Sequence, residues 1–169
     1  GGEGLGRMGV EMDNYYTSDK AHAVLTHELP DATFTDATAL VNWCRTVKSG
    51  EELAFMRKAA RISEKIVDGW LDRVEPGLPK NEIVAEIMRD AILGVDDAWG
   101  DCAAIVPLLP SGTDAAAPHL TWDGRPFQEG EGTCFAISGC YRRYPLPFCP
   151  PVLPDAPPGL RTHAQAAPD

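Results

Sequence analysis

Between Ser49 and Glu75 the apolar residues return every three or four positions, at Leu53, Met56, Ala60, Ile66, Val67, Trp70, Leu71 and Val74. Arg57, Lys58, Arg61, Glu64 and Lys65 fall on the other faces, so the spacing predicts an amphipathic helix over residues 49–75. Ser49 with Glu52 three residues on forms a capping box, and Glu75-Pro76-Gly77 stops the helix. A second stripe, Ile83, Val84, Ile87, Met88, Ala91 and Ile92, predicts a helix over 80–93. It starts near Pro79 or Asn81 and stops at Gly94. Pro and Gly between the two favour an αα-hairpin laid on an apolar surface.

The sheet that offers that surface comes next in the chain. Ala103–Leu109 is a continuous apolar run interrupted by Pro107 and predicts a buried strand. Turn residues at Pro110-Ser111-Gly112, Trp122-Asp123-Gly124-Arg125 and Glu129–Gly132 lead to strands over Thr133–Ile137 and Cys140–Tyr144. Helices followed by antiparallel strands indicate an α+β layer, packed through Leu53, Met56, Ile66, Trp70, Ile83, Ile87 and Met88. Upstream, Met8–Met12 suits a strand, Ser18 caps a helical segment Asp19–Leu29, and Ala32–Leu40 alternates weakly as an edge strand. Residues 1–43 therefore form a β-α-β piece too small to hold a core by itself. From Pro145 neither period survives, and eight of the 15 prolines lie in 145–169, so an irregular, disordered tail is expected.

At 169 residues the chain is one domain, or one domain with a piece of another. A net charge of −10 argues against nucleic acid, which needs clustered Lys and Arg. No run is long and apolar enough to span a bilayer, and no signal peptide opens the chain, so a cytoplasmic location is expected. The five cysteines are odd in number and form no Cys-x-x-Cys pair, which points to reduced thiols, not to a zinc site or disulfide framework. His119 lies between Pro118 and Leu120 in a stretch flanked by turns; imidazole there can give or accept a proton, or simply hydrogen-bond within the loop. His22, His27 and His163 are expected to face solvent.

Three motifs in order carry a family resemblance. The junction Arg45-Thr46-Val47-Lys48-Ser49, with Glu51-Glu52-Leu53 and Met56–Ala60, is similar to the domain junction of creatinase and Xaa-Pro peptidases. Pro110-Ser111-Gly112-Thr113-Asp114, Pro118-His119-Leu120-Thr121-Trp122 and Gly130–Phe135 resemble the stretch that follows it in that pita-bread family. With Ile137-Ser138-Gly139-Cys140-Tyr141-Arg142-Arg143-Tyr144, the set resembles the ectoine hydrolases more than the true peptidases. The resemblance implies the first half of a pita-bread fold over residues 44–144, after a remnant of a creatinase-type α/β domain over 1–43. It implies hydrolytic opening of a cyclic amidine, a small zwitterionic substrate and a homodimeric parent. It gives His119 the catalytic proton transfer and Trp122 a place in the substrate pocket, although tryptophan at such a position more often serves a core.

Two departures qualify what the resemblance carries. Metal-dependent members take one Asp from the strand matching Thr133–Tyr144 and another shortly beyond, and that strand here holds no Asp or Glu. Ectoine hydrolases are expected to place Glu where this chain has Ala136, which offers neither charge nor proton. The expectation is therefore a fragment without metal or cofactor, inactive by itself, whose residues 145–169 are read out of frame. A metal-dependent Xaa-Pro dipeptidase or creatinase-like enzyme, and a pita-bread module that only binds, stay open as alternatives.

Overall fold

The computed structural model describes residues 6–70, 73–103, 105–149 and 151–152. It divides into two compact units, Gly1–Ser49 and Gly50–Asp169. In the first, strands β1 (Arg7–Val10) and β2 (Thr33–Asp36) pair in parallel around helix α1 (Asp19–Glu28). The Ser18 hydroxyl caps α1 by accepting from the Ala21 amide at 3.1 Å. The strand expected to run to Leu40 ends at Asp36, whose carboxylate accepts from the amide and hydroxyl of Thr38 at 2.9 and 2.6 Å and turns the chain. Ala39 takes φ 62°, and helix α2 (Leu40–Thr46) follows. Its Leu40, Val41 and Trp43 are exposed, so no core-facing stripe marks it in the sequence. No described residue of this unit is buried. His22, expected in solvent, is half-buried with its ring edge-on to Phe34 at 5.9 Å; His27 is exposed.

The second unit is built on helices α3 (Gly50–Trp70) and α4 (Lys80–Leu93). α3 buries Ala59, Ile62, Ser63, Ile66 and Trp70, a row at helical spacing. Leu53, expected in this core, is 41% exposed because it sits half a turn around the helix from Ile62. Met88 is likewise 38% exposed, while Ile83, Val84 and Ile87 form the buried face of α4. Trp70 stacks on Phe135 with ring centroids 4.2 Å apart, and Phe127 joins them at 6.1 Å from Phe135. Burying a large apolar side chain of this kind stabilises by roughly 1.5–3 kcal/mol.

These helices pack on an antiparallel hairpin of β4 (Ile137–Tyr141) and β5 (Tyr144–Phe148). Beside it a short pair, β3 (Thr133–Cys134) and β6 (Pro151–Val152), runs antiparallel. Two expectations change here. Residues 145–148, read as the start of an irregular tail, form β5, because an edge strand tolerates Pro145 and Pro147 without amide donors. Further along the expected tail, Pro151–Val152 form β6, and residues 150 and 153–169 lie outside the described residues. Ala103–Leu109 is not a buried strand: Ile105 and Val106 are 55% and 45% exposed. Among the described residues of this stretch only Leu108 bridges, its amide and carbonyl paired with those of Ala136 at 3.0 Å. Pro107 removes the donor that a longer ladder would need.

Arg142 and Arg143 make the two-residue turn between β4 and β5, both left-handed at φ 51° and 66°. Such turns favour Asn and Gly, and an ordinary L-residue there costs about 1–2 kcal/mol. Arg143 is tied to Asp101 through its amide at 3.1 Å, whereas the Arg142 side chain makes no hydrogen bond or ion pair among the described residues. Arg142→Asn is therefore expected to stabilise the second unit by about 0.5–1 kcal/mol, read as a rise in the denaturation midpoint. No helix among the described residues is long and apolar enough to cross a membrane.

Candidate functional site

Residues 110–127 form a long loop that is pinned at both ends. At its start Cys134 donates to the Pro110 carbonyl at 3.1 Å and Gly112 donates to Gly132 at 2.9 Å. The Ser111 and Thr133 hydroxyls, both buried, share a hydrogen bond at 2.8 Å. At its end Phe127 exchanges hydrogen bonds with the turn before α4, donating to Leu78 at 3.0 Å and accepting from Gly77 at 2.9 Å. Lys80 donates its amide to the Arg125 carbonyl at 3.2 Å. Phe127 is 1% exposed, so the loop's far end is plugged into the aromatic core.

Between the pins lie a 3-10 turn over Gly112–Ala116, then His119 and Trp122. His119 is exposed and left-handed, with φ 64°. Trp122 is half-buried and packs against the core cluster, so it is a wedge under the loop as well as a candidate pocket wall. The two site residues expected from the sequence thus share one loop, three positions apart. What the sequence reading missed is the ionic cluster whose members bracket them along the chain. Arg125 holds Asp123 through Nε at 2.7 Å and Nη2 at 2.6 Å, and its Nη2 also reaches Asp114. The Arg125 amide donates to the Asp123 carboxylate at 2.9 Å as well. Arg125, helped by the positive charge of Lys80, keeps the Asp123 carboxyl below its usual range, while Asp123 and then Asp114 raise Arg125. Lys80 is only 3% exposed. The signal available in the sequence was the Asp-Gly-Arg spacing of residues 123–125.

Ala136 sits where the resemblance expects a carboxylate. Its half-buried side chain lines a hollow of about 110 Å³ with Ile105, Ile137, Ser138, Pro145 and Pro147. A second hollow, about 290 Å³, shares Ile105 and Ser138 and runs along Met88 and Ile92. Both are walled mostly by carbon, and neither is lined by His119. The nearest carboxylate by sequence is Glu131, whose Oε2 is buried without a partner beside Gly112. All five cysteines are free thiols, with Cys140 buried. Burial pushes the Cys134 and Cys140 thiols above their ordinary value, which leaves them poor nucleophiles.

The model of metallopeptidase family M24 matches residues 54–148. An ectoine hydrolase of Halomonas elongata is 50% identical over 167 residues, covering 96% of this chain and 42% of that protein. An uncharacterised hydrolase or peptidase of Sinorhizobium fredii is 33% identical over 151 residues, covering 89% of the chain and 38% of that protein. Among solved structures, the prolidase of Pyrococcus horikoshii superposes with a TM-score of 0.78 at 18% identity, over 95% of this chain and 44% of that one. X-Pro aminopeptidase of Thermotoga maritima gives 0.76 at 18%, over 92% and 42%. The chain spans about two-fifths of the length of these relatives.

The family description implies a metal, and the donor set here does not fit one. The segment Thr133–Tyr144 carries no Asp or Glu, and no three His, Cys, Asp or Glu side chains converge among the described residues. A catalytic zinc takes three protein ligands and a structural one four. The 169-residue chain dialysed against Mn²⁺, Co²⁺ or Zn²⁺ and then washed is expected to retain well under one ion per chain by elemental analysis.

Proposed function

The chain belongs to metallopeptidase family M24, the pita-bread hydrolases, and from that premise we propose that it serves the hydrolytic ring opening of ectoine. In that reaction water adds to the amidine carbon and the bond to one ring nitrogen breaks. That nitrogen leaves with a proton, and the acetyl group stays on the other as N-acetyl-diaminobutyrate. The observation that carries the reading is 50% identity to the Halomonas ectoine hydrolase across 96% of the chain, the His119 loop included. Likeness to prolidases at 18% identity speaks for the fold alone.

His119 is the residue proposed to pass the proton, since imidazole can both give and accept one and the loop presents it to solvent. Trp122 is proposed to shape the wall against a small zwitterion. The same reading makes the protein cytoplasmic and homodimeric, with residues 1–43 as an N-terminal remnant and 44–144, lengthened by β5 to Phe148, as a first catalytic half. One observation favours a second reading, a pita-bread module that binds without turnover. The hollow at Ala136 is lined by carbon where a hydrolase of this type needs a carboxylate.

The test joins this chain to the remaining length of the Halomonas relative, restores Glu at position 136, and offers ectoine, an Xaa-Pro dipeptide and creatine. N-acetyl-diaminobutyrate formed from ectoine, with the other two intact, supports the proposal. Dipeptide cleavage with ectoine untouched replaces it with the peptidase reading. Calorimetric binding of ectoine without product replaces it with the binding module.

A further inference from the structure

His119 stands in a segment with little of its own to hold it. Among the described residues, positions 118–124 make no backbone–backbone hydrogen bond, and the His119 side chain makes none. Its φ of 64° is a conformation an L-residue avoids unless its surroundings impose it. Two contacts remain to impose it. Trp122 wedges the loop against the core, and the Arg125 guanidinium joins Asp114 to Asp123. Asp114 precedes His119 by five residues and Asp123 follows it by four, so the guanidinium closes the segment into a ring with the histidine at its far side. A planar fork with several donors can hold two carboxylates at once, which a lysine cannot do with the same geometry. Behind the ring, buried Lys80 on the first turn of α4 sets a second positive charge against Asp123.

We propose that Arg125 is the positioning residue for His119: by gripping Asp114 and Asp123 it fixes the left-handed bend that presents the imidazole. The proposal rests on the catalytic reading of His119 given above. The cluster is more than a third exposed, so its effect on global stability is small and its effect is local order.

The experiment is ¹⁵N relaxation on the 169-residue chain, with helix α3 as the internal reference. In the parent, amides of His119, Leu120 and Thr121 are expected to be ordered, with order parameters near 0.8, and to fall below about 0.6 in Arg125→Met. Arg125→Lys is expected to lie between the two, and methylguanidinium added to Arg125→Ala is expected to recover part of the order. Asp114→Asn with Asp123→Asn should reproduce the loss, with α3 unchanged in every variant. A loop already mobile in the parent, or equally ordered in Arg125→Met, overturns the proposal. Should Arg125→Met melt early, an unchanged loop in both Arg125→Lys and the paired asparagine variant overturns it as well. Loop order is read without substrate, so failure of the hydrolase reading shows separately, as absent ring opening.

Discussion

Gly139→Ala is expected to cost about 3 kcal/mol or more and to remove most of the cooperative unfolding of residues 50–148. At this point β4 touches the backbone of α3. A Cβ on residue 139 would lie 2.5 Å from the Ala59 carbonyl oxygen, 2.7 Å from the Ser63 nitrogen and 2.8 Å from the Ile62 Cβ. Two of the three obstacles are main-chain atoms in the middle of a helix, which cannot rotate aside as a side chain can. Relief requires α3 to move off the hairpin, and α3 is the element that carries Ile62, Ile66 and Trp70 into the core.

The Ser63 hydroxyl exploits the same close approach: it accepts from the Gly139 amide at 2.9 Å and donates to the Leu146 carbonyl at 2.8 Å. With Pro145 and Pro147 lacking amide donors, that hydroxyl completes the hydrogen bonding of a sparse ladder. Ser63→Ala leaves a buried donor and a half-buried acceptor unpaired and should cost about 2 kcal/mol. Gly124→Ala, where a Cβ meets nothing within 4 Å, should change stability by less than about 0.5 kcal/mol. Urea denaturation of the four proteins checks the series. A Gly139→Ala midpoint equal to that of Gly124→Ala would refute the packing account.

The helices were legible because burial leaves a periodic stripe, and Ile66, Trp70, Ile83 and Ile87 lie on it, while Ile62, fully buried, was not read as part of it. Leu53 and Met88 show the limit: an apolar residue near the stripe need not be on the face that meets the sheet. The strand expected over Cys140–Tyr144 instead turns back at Arg142-Arg143, a pair that lacks the Asn-Gly chemistry that signals a turn. β5 was hidden by its prolines, which argue against a strand unless it is an edge. α2 was hidden because none of its apolar residues is buried within its own unit. His119 was legible only through the surrounding motifs, since a solvent-facing histidine carries no period or spacing of its own. The Arg125–Asp114 half of the cluster depends on an approach between positions 11 apart, which no local pattern reports.

Turnover of ectoine is expected to be undetectable in the 169-residue chain and to need two repairs at once. Hydrolysis needs a proton donor at the leaving nitrogen, the part proposed for His119, and a carboxylate to activate water or to stabilise the ring carbon. Ala136 cannot supply that carboxylate, and the hollow around it is lined by carbon. The chain also spans only 42% of the Halomonas relative, so walls that exclude water and orient the substrate are to be supplied by the remaining length. Groups that act as a unit are strongly non-additive. Ala136→Glu alone is therefore expected to yield no product, and the added length alone should give binding with little turnover. Both together should open the ring, and His119→Ala in that protein should lower kcat by about 10²–10⁴-fold, the usual share of general acid–base catalysis. The substitution should move KM much less, because the histidine is assigned to the transition state and not to ground-state binding. Product chromatography across the set decides it. Ring opening by the unaltered 169-residue chain, proportional to its concentration, would show that neither Ala136 nor the relative's remaining length is what limits this site.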